Sequence, residues 1–373
     1  MPPTTPGSLD EKLSGGRLTV DLDALADNWA DLARQASSAE TAAVVKADAY
    51  GIGLEPAASA LARAGCKTFF VALPSEGLRL RAALPGVVIY VLDGLIEGSA
   101  KVYAEADLRP VLNSWDEVEE WAAYKDKGIA TGSAIHVDTG MNRLGLSLHE
   151  AIELARRADL LTAIGPALIM SHLACADSPA DPFNLRQLAL FSEIRAEFPD
   201  LPASLANSAG ILLGEDFHFD LVRPGIALYG ASPVAAPLRT VVTAEARVLA
   251  VREVDEGEAI GYGASERVKR ASRIAVLAAG YADGYHRQAG SSDARKGAQV
   301  HIRGRPAPLV GRVSMDLIAA DVTDIRAVAR GDWAELFGPN ISIDDVARTA
   351  GTIGYELLTG LGRRYARVYV GGK

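Results

Sequence analysis

Residues 41–92 read TAAVVKADAYGIGLEPAASALARAGCKTFFVALPSEGLRLRAALPGVVIYVL. Three apolar, β-branched runs stand out: TAAVVKA (41–47), KTFFVAL (67–73) and GVVIYVL (86–92). Between them lie EPAASALARAG (55–65) and SEGLRLRAAL (75–84), Ala/Leu/Glu/Arg-rich stretches with helical spacing. Strands apolar on both faces and separated by helices belong to a parallel sheet, because the crossover helices cover its faces. The alternation continues outward through LRPVLN (108–113), AIHVD (134–138), ALIMSHL (167–173), ASLANS (203–208) and LVRPGIAL (221–228). Helical stretches at 114–128, 148–161 and 184–198 separate several of these runs. Eight such units in roughly 220 residues match a (β/α)8 barrel, an α/β fold of typically ~250 residues. A doubly wound open sheet is the rival. Polar residues decide between them: Lys46, Arg143, His172, Ser208 and Arg223 all fall at or just after the C-terminal ends of different strands. In a barrel those ends converge on one mouth. In an open sheet they would be strung along an edge.

After about residue 240 the pattern changes to a period near two, in 241–254, 273–281, 298–324 and 332–338, with Gly, Pro and Asp in the gaps. This predicts a mainly antiparallel β domain over 241–373, after a barrel over 15–240 and a disordered leader over 1–14. One late helix is expected at SIDDVARTAG (342–351), opened by the capping pattern Ser342-x-x-Asp345.

Composition narrows the class. The chain has 373 residues, 49% of them hydrophobic and 23% charged, which fits neither a disordered nor a membrane protein. With 38 Lys+Arg against 47 Asp+Glu it is acidic, and no basic cluster marks a nucleic-acid footprint. Cys66 and Cys175 cannot build a disulfide framework. The start has neither the basic end nor the apolar core of a signal peptide. A cytoplasmic location is expected.

Lys46 ends a buried-looking strand. Most lysines are simply solvated. One at a barrel mouth is desolvated, and that turns its amine into a nucleophile toward carbonyls. NSAG (207–210) and RPGIALYG (223–230) offer the Ser208 hydroxyl, a helix start near Ala209 and a backbone opened by Gly225. Together, after the seventh and eighth strands, they form a phosphate signal. Arg143 is either a carboxylate clamp or an ordinary surface arginine. His172 alone reads as a core-edge histidine. Tyr262, between Gly261 and Gly263, is either a turn residue or a phenol that can reach into a site. No ligand spacing for a metal is present, and no catalytic metal is expected.

Taken together, AVVKADAYGIG (43–53), HVDTGMNRLG (136–145), SHLA (171–174), NSAG, RPGIALYG, IGYGAS (260–265), GRVSMD (311–316) and YELLTGLGRR (355–364) resemble the bacterial alanine racemase family, in order and with its spacing. The resemblance implies a barrel with a C-terminal β domain, pyridoxal 5′-phosphate as cofactor, alanine as substrate, and a homodimer with shared sites. It further implies interconversion of L- and D-alanine, to supply D-alanine for peptidoglycan or to degrade it. Lys46 matches the lysine that carries the cofactor. Tyr50, Ser208, the Gly225–Ile226 backbone and Tyr355 match its phosphate ligands, and Arg223 faces its pyridine nitrogen. Tyr262 matches the second base, and His172 links it to Arg223. Arg143 and the Met315 backbone match contacts to the substrate carboxylate, and Tyr281 an entry-channel tyrosine. Two departures stand out. His136 replaces a lysine, often carbamylated, that supports the arginine, so Arg143 must be held by another group or an anion. Ser314 replaces a cysteine, a change expected to be neutral. Related readings are a broad-specificity amino-acid racemase, a decarboxylase of this barrel, which would carry a glutamate at Arg223, and a non-catalytic cofactor carrier, which would lack the β domain.

Overall fold

The computed structural model describes residues 9–125, 132–232 and 237–372. These form two compact units, one spanning residues 25–228 and the other made of residues 9–24, 229–232 and 237–372. Of the expected leader, residues 1–8 lie outside the described residues. Leu9–Leu13 form a short helix whose Glu11 pairs with Arg17 at 2.8 Å.

The unit of residues 25–228 is a barrel of parallel strands. Its first strand is interrupted, Glu40–Thr41 then Ala43–Val44; the next six are Thr68–Val71, Val88–Val91, Arg109–Leu112, Ser133–His136, Pro166–Met170 and Ala203–Ser204. The eighth, Leu221–Val222, closes the ring. On one side Asp220 N donates to Ala203 O and Arg223 N to Ala206 O. On the other, Glu40 N donates to Asp220 O and Ala42 N to Val222 O. An open sheet has no such closure. Thr68–Val71 and Ser133–His136 are buried at every position, as strands covered on both faces must be. Helices run between strands at Leu54–Ala64, Pro74–Ala83, Ala100–Glu105, Trp115–Lys125, Leu148–Ala155 and Phe183–Ala196. Leu148–Ala155 starts on a reciprocal cap, with Glu150 N donating to Ser147 Oγ and Ser147 N to Glu150 Oε2.

The other unit is built on the long strand Val242–Val254, whose alternate residues are buried along its first half. It pairs antiparallel with Gly16–Asp21, Trp333–Phe337 and Ser272–Leu277, and a bulge near Leu249 accompanies its pairing with the last of these. Gly16–Asp21 also runs parallel to Tyr365–Val370. The segment at 16–21, expected within the barrel stretch, therefore belongs to this sheet. Its buried/half-buried alternation suits a sheet covered on one face better than a barrel strand. Ser342 caps the helix Ile343–Ala350 by accepting from Asp344 N, while Asp345 pairs with Arg348, so the reciprocal half of the expected box is missing. Among the described residues no helix is long and apolar enough to cross a membrane.

Candidate active site

Lys46 stands at the end of the first barrel strand, half-buried. Burial pushes its amine below the usual lysine range, and Arg143 pushes the same way, while Asp93 and Glu76 oppose. The four residues after it, Ala47 to Tyr50, all have φ between 52° and 55°. They form one turn of left-handed helix, with Gly51 N donating to Ala47 O at 2.8 Å and Ala49 N to Val45 O at 3.0 Å. For residues with a Cβ this conformation costs about 1–2 kcal/mol each. Outside ties must therefore hold it. The Glu76 carboxylate accepts from Ala47 N at 2.6 Å, and Asp48 accepts from Leu54 N and pairs with Arg79.

The turn brings Tyr50 to the backbone of the eighth strand's loop. A Cβ on Gly225 would lie 2.5 Å from Tyr50 Oη, so only glycine permits this approach. Ser208 Oγ accepts from Gly225 N at 2.8 Å and from Ala227 N at 3.3 Å. With its lone pairs engaged, its O–H remains to donate outward. The Ile226 N–H has no acceptor among the described residues. A hydroxyl, a phenol and a backbone N–H thus gather as donors for an anion. The helix expected near Ala209 is a single turn, Ser208–Ile211, and the Asn207 side chain already accepts from its Gly210 N–H.

Arg223 is 2% exposed and has no carboxylate partner among the described residues. It donates to Ser204 Oγ, to Ser171 O at 2.6 Å and to Leu205 O at 3.3 Å, and lies 3.4 Å from His172 Nδ1. Burial lowers its pKa to about 9, which still leaves the guanidinium charged at neutral pH. Since arginine only donates, Nδ1 of His172 faces it as an acceptor and the proton sits on Nε2. Burial, then Arg223, Arg143, His136 and Lys46, hold His172 well below the ordinary histidine range.

Arg143 is exposed in a loop shaped by Asp138, whose Oδ1 accepts from Gly140 N and Met141 N, both at 2.8 Å. Beneath the mouth, His136 Nδ1 lies 2.6 Å from Asn113 Oδ1, and Asn113 Nδ2 donates to Leu92 O. That network puts the His136 proton on Nδ1 and leaves Nε2 as an acceptor. Burial, with Arg223 next, lowers its pKa to about 4. The neutral imidazole cannot supply the negative charge of a carbamate.

The second unit carries the other expected residues. Tyr262 is 71% exposed on a short turn between Gly261 and Gly263, both with positive φ. Tyr281 opens the turn Tyr281–Asp283, which packs on the GRVSMD loop: Tyr281 N donates to Ser314 O and Ala282 N to Met315 O, each at 3.0 Å. A Cβ on Gly280 would fall 2.3 Å from Met315 O, so the close approach depends on glycine. The Met315 N–H has no acceptor among the described residues. Tyr355 lies half-buried on the helix Gly354–Thr359. His218 in DFHFD is buried with Nε2 donating to Ile211 O, and among the described residues no three metal-binding side chains gather.

Two family models match the chain: "Alanine racemase, N-terminal domain" over residues 20–233 and "Alanine racemase, C-terminal domain" over 241–369. The chain belongs to the alanine racemase family. It is 50% identical over 370 residues to an alanine racemase of Rhizobium meliloti, covering 96% of this chain and 98% of the relative. A biosynthetic alanine racemase of Agrobacterium fabrum is 48% identical, over 95% and 93%. The crystal structure of the Bartonella henselae alanine racemase, with covalently bound pyridoxal phosphate, superposes with a TM-score of 0.90 at 41% identity, over 96% of this chain and 100% of that one. The fold and family implied by the resemblance are thereby established.

Three contributors at the barrel mouth were not singled out from sequence. Glu76, Asn113 and Ser204 act on Lys46, His136 and Arg223 from other strands and helices. Glu76 alone had a local signal, an acid two residues after Pro74 at a helix start.

Proposed function

We propose that the racemisation of alanine carried out by this family proceeds in this chain through Lys46 and Tyr262, with pyridoxal 5′-phosphate held at the barrel mouth. The carrying observation is the convergence of a half-buried lysine with reduced proton affinity, an anion cradle and a buried arginine on the ends of one set of strands. These residues fit the cofactor. Tyr50, Ser208, the Gly225–Ile226 backbone and Tyr355 would take the phosphate, Lys46 the aldehyde carbon, and Arg223 the pyridine nitrogen. When bound, the group withdraws electrons from the amino acid joined to it and so acidifies the Cα–H bond.

The protein's part is proton management. Inverting Cα needs a proton removed from one face and returned to the other, so two bases on opposite faces avoid rotating the substrate. The Lys46 amine, neutral more readily than an exposed lysine, serves one face. Tyr262 serves the other, and a phenol with an ordinary pKa near 10 needs help to lose its proton. His172 supplies that help. Its Nδ1 is engaged by Arg223, so its Nε2–H can only donate, and donation favours the phenolate. Arg143 and the free Met315 N–H take the substrate carboxylate. Arg223 offers only donors and stays charged, so the nitrogen it faces is kept as an acceptor. With the group bound, that would restrain its electron withdrawal and so disfavour side reactions. Tyr281 lines the way in.

The same reading includes a cytoplasmic homodimer in which Lys46 of one copy works with Tyr262 of the second. The high exposure of Tyr262 supports it.

The test is Lys46→Ala. Alanine racemisation and the absorbance of the lysine–cofactor link should both disappear, and borohydride reduction of the parent protein should fix the cofactor on Lys46. A reducible link on another lysine would overturn the assignment. Assaying a panel of amino acids beside alanine measures the breadth of the activity.

A further inference from the structure

We propose that Glu76 is a positioning residue for Lys46, its carboxylate tying the left-handed turn that follows the lysine to the end of the neighbouring barrel strand. The proposal rests on Lys46 as the cofactor-bearing lysine and adds what holds that lysine in place. One oxygen, Oε1, accepts from Ala47 N at 2.6 Å; the other, Oε2, accepts from Ala72 N at 2.9 Å and Leu73 N at 3.2 Å. The carboxylate thus spans two loops that leave adjacent parallel strands, and its first partner is the residue directly after Lys46.

Several features make this tie more than a helix cap. A cap needs only N–H groups at the start of its own helix, and Ala47 lies 29 residues away. The turn it grips consists of four consecutive non-glycine residues at positive φ, a conformation that relaxes unless tertiary contacts impose it. Glu76 is itself well anchored, in the first turn of Pro74–Ala83, with Gly77 and Leu80 buried beneath. The second tie on the turn, Arg79 with Asp48 and Glu55, is nearly half exposed on both sides and contributes little by itself. Glu76 also bears on the amine's charge. Around Lys46, Asp93 and Glu76 favour the ammonium, while burial and Arg143 oppose it. Neutralising Glu76 therefore removes one of two groups favouring the protonated lysine.

Glu76→Gln separates positioning from capping. The single amide oxygen can serve Ala72 and Leu73 and keep the helix start, but the NH2 group then meets the Ala47 N–H and repels it. In the cofactor-loaded protein, hydrogen exchange of the 47–53 amides should rise about tenfold, the scale of losing one charge-assisted hydrogen bond. The pH midpoint of the lysine–cofactor absorbance should fall, with the thermal midpoint close to the parent's. Glu76→Asp, too short to span both loops, should raise exchange in the same segment while moving the pH midpoint less. It decides the matter if the Gln variant does not fold. Parent-like exchange across 47–53, or a uniform rise over the whole barrel with an unmoved pH midpoint, would overturn the proposal. Borohydride mapping to a different lysine would instead overturn the assignment of Lys46, while segment exchange would still report on the tie.

Discussion

The barrel mouth and the Tyr262 face of the β unit treat their polar groups in opposite ways. In the barrel, Arg223, His136 and Ser208 are buried, and Lys46 and His172 half-buried, with hydrogen-bond partners or burial setting their protonation. In the β unit, Tyr262, Met315 and Tyr281 are 71%, 53% and 45% exposed; Tyr281 and Met315 are joined through backbone bonds of their two loops beside the close approach at Gly280, and Tyr262 stands on a glycine-flanked turn. Burial is what shifts a pKa and preorganises a dipole. The barrel therefore carries a tuned site of its own. The β unit presents a phenol and a backbone N–H whose surroundings, on the proposed reading, come from a second copy.

Tyr262→Phe tests this contrast most severely. It removes the base and keeps the ring, so racemisation should fall on the order of 10²–10⁴-fold, as for a lost general base. Exchange of the Cα proton with solvent should survive for one enantiomer only, the one served by Lys46. Equal residual exchange of D- and L-alanine would remove the two-base scheme.

Mixing Lys46→Ala with Tyr262→Phe tests whether the two regions work across copies. A mixed dimer holds one site with both residues intact and one with both lost. Equal amounts reassorting at random should restore about one quarter of all sites, by two-fold symmetry. The readout is alanine racemisation after joint refolding or co-expression. No recovery in dimers proven mixed by differential tags would place lysine and tyrosine in one chain.

The smallest effect concerns stability. His136 is held at a pKa of about 4, below its unfolded value, so the unfolded chain binds the proton more readily. Its contribution is complete above about pH 6.5 and is lost as pH falls toward 4, at most on the order of 3 kcal/mol. His172 is lowered too and adds a loss of the same sign. In His136→Gln, whose amide can still donate to Asn113, urea unfolding at pH 7 and at pH 4.5 should differ less than in the parent. An equal difference would mean that His136 does not titrate in this window.

What could be read from residues 41–92 and their continuation was periodicity and position. Eight apolar runs, with Lys46, Arg143, His172, Ser208 and Arg223 at or just after the ends of five of them, identify the strands and the end where chemistry collects, because parallel strands in a barrel bring their C-terminal ends to one mouth. The strand at 16–21 shows the limit. It lies in the stretch assigned to the barrel, but which sheet it joins depends on partners more than 200 residues away, Val242–Val254 and Tyr365–Val370.

The sequence by itself therefore determined the order of elements, the change from barrel to β sheet, and the residues able to do chemistry, since side-chain periodicity and strand ends are local properties. Only the tertiary structure decided how those residues stand. The left-handed turn after Lys46 opposes the intrinsic preference of Ala, Asp and Tyr, and is tied by a carboxylate of the helix Pro74–Ala83 and by the contacts of Asp48. The neutral form of His136 and the proton position on His172 follow from burial and from Asn113 and Arg223, on other strands. Conformational strain and protonation are energies of the assembled neighbourhood, and no stretch of chain contains that neighbourhood by itself.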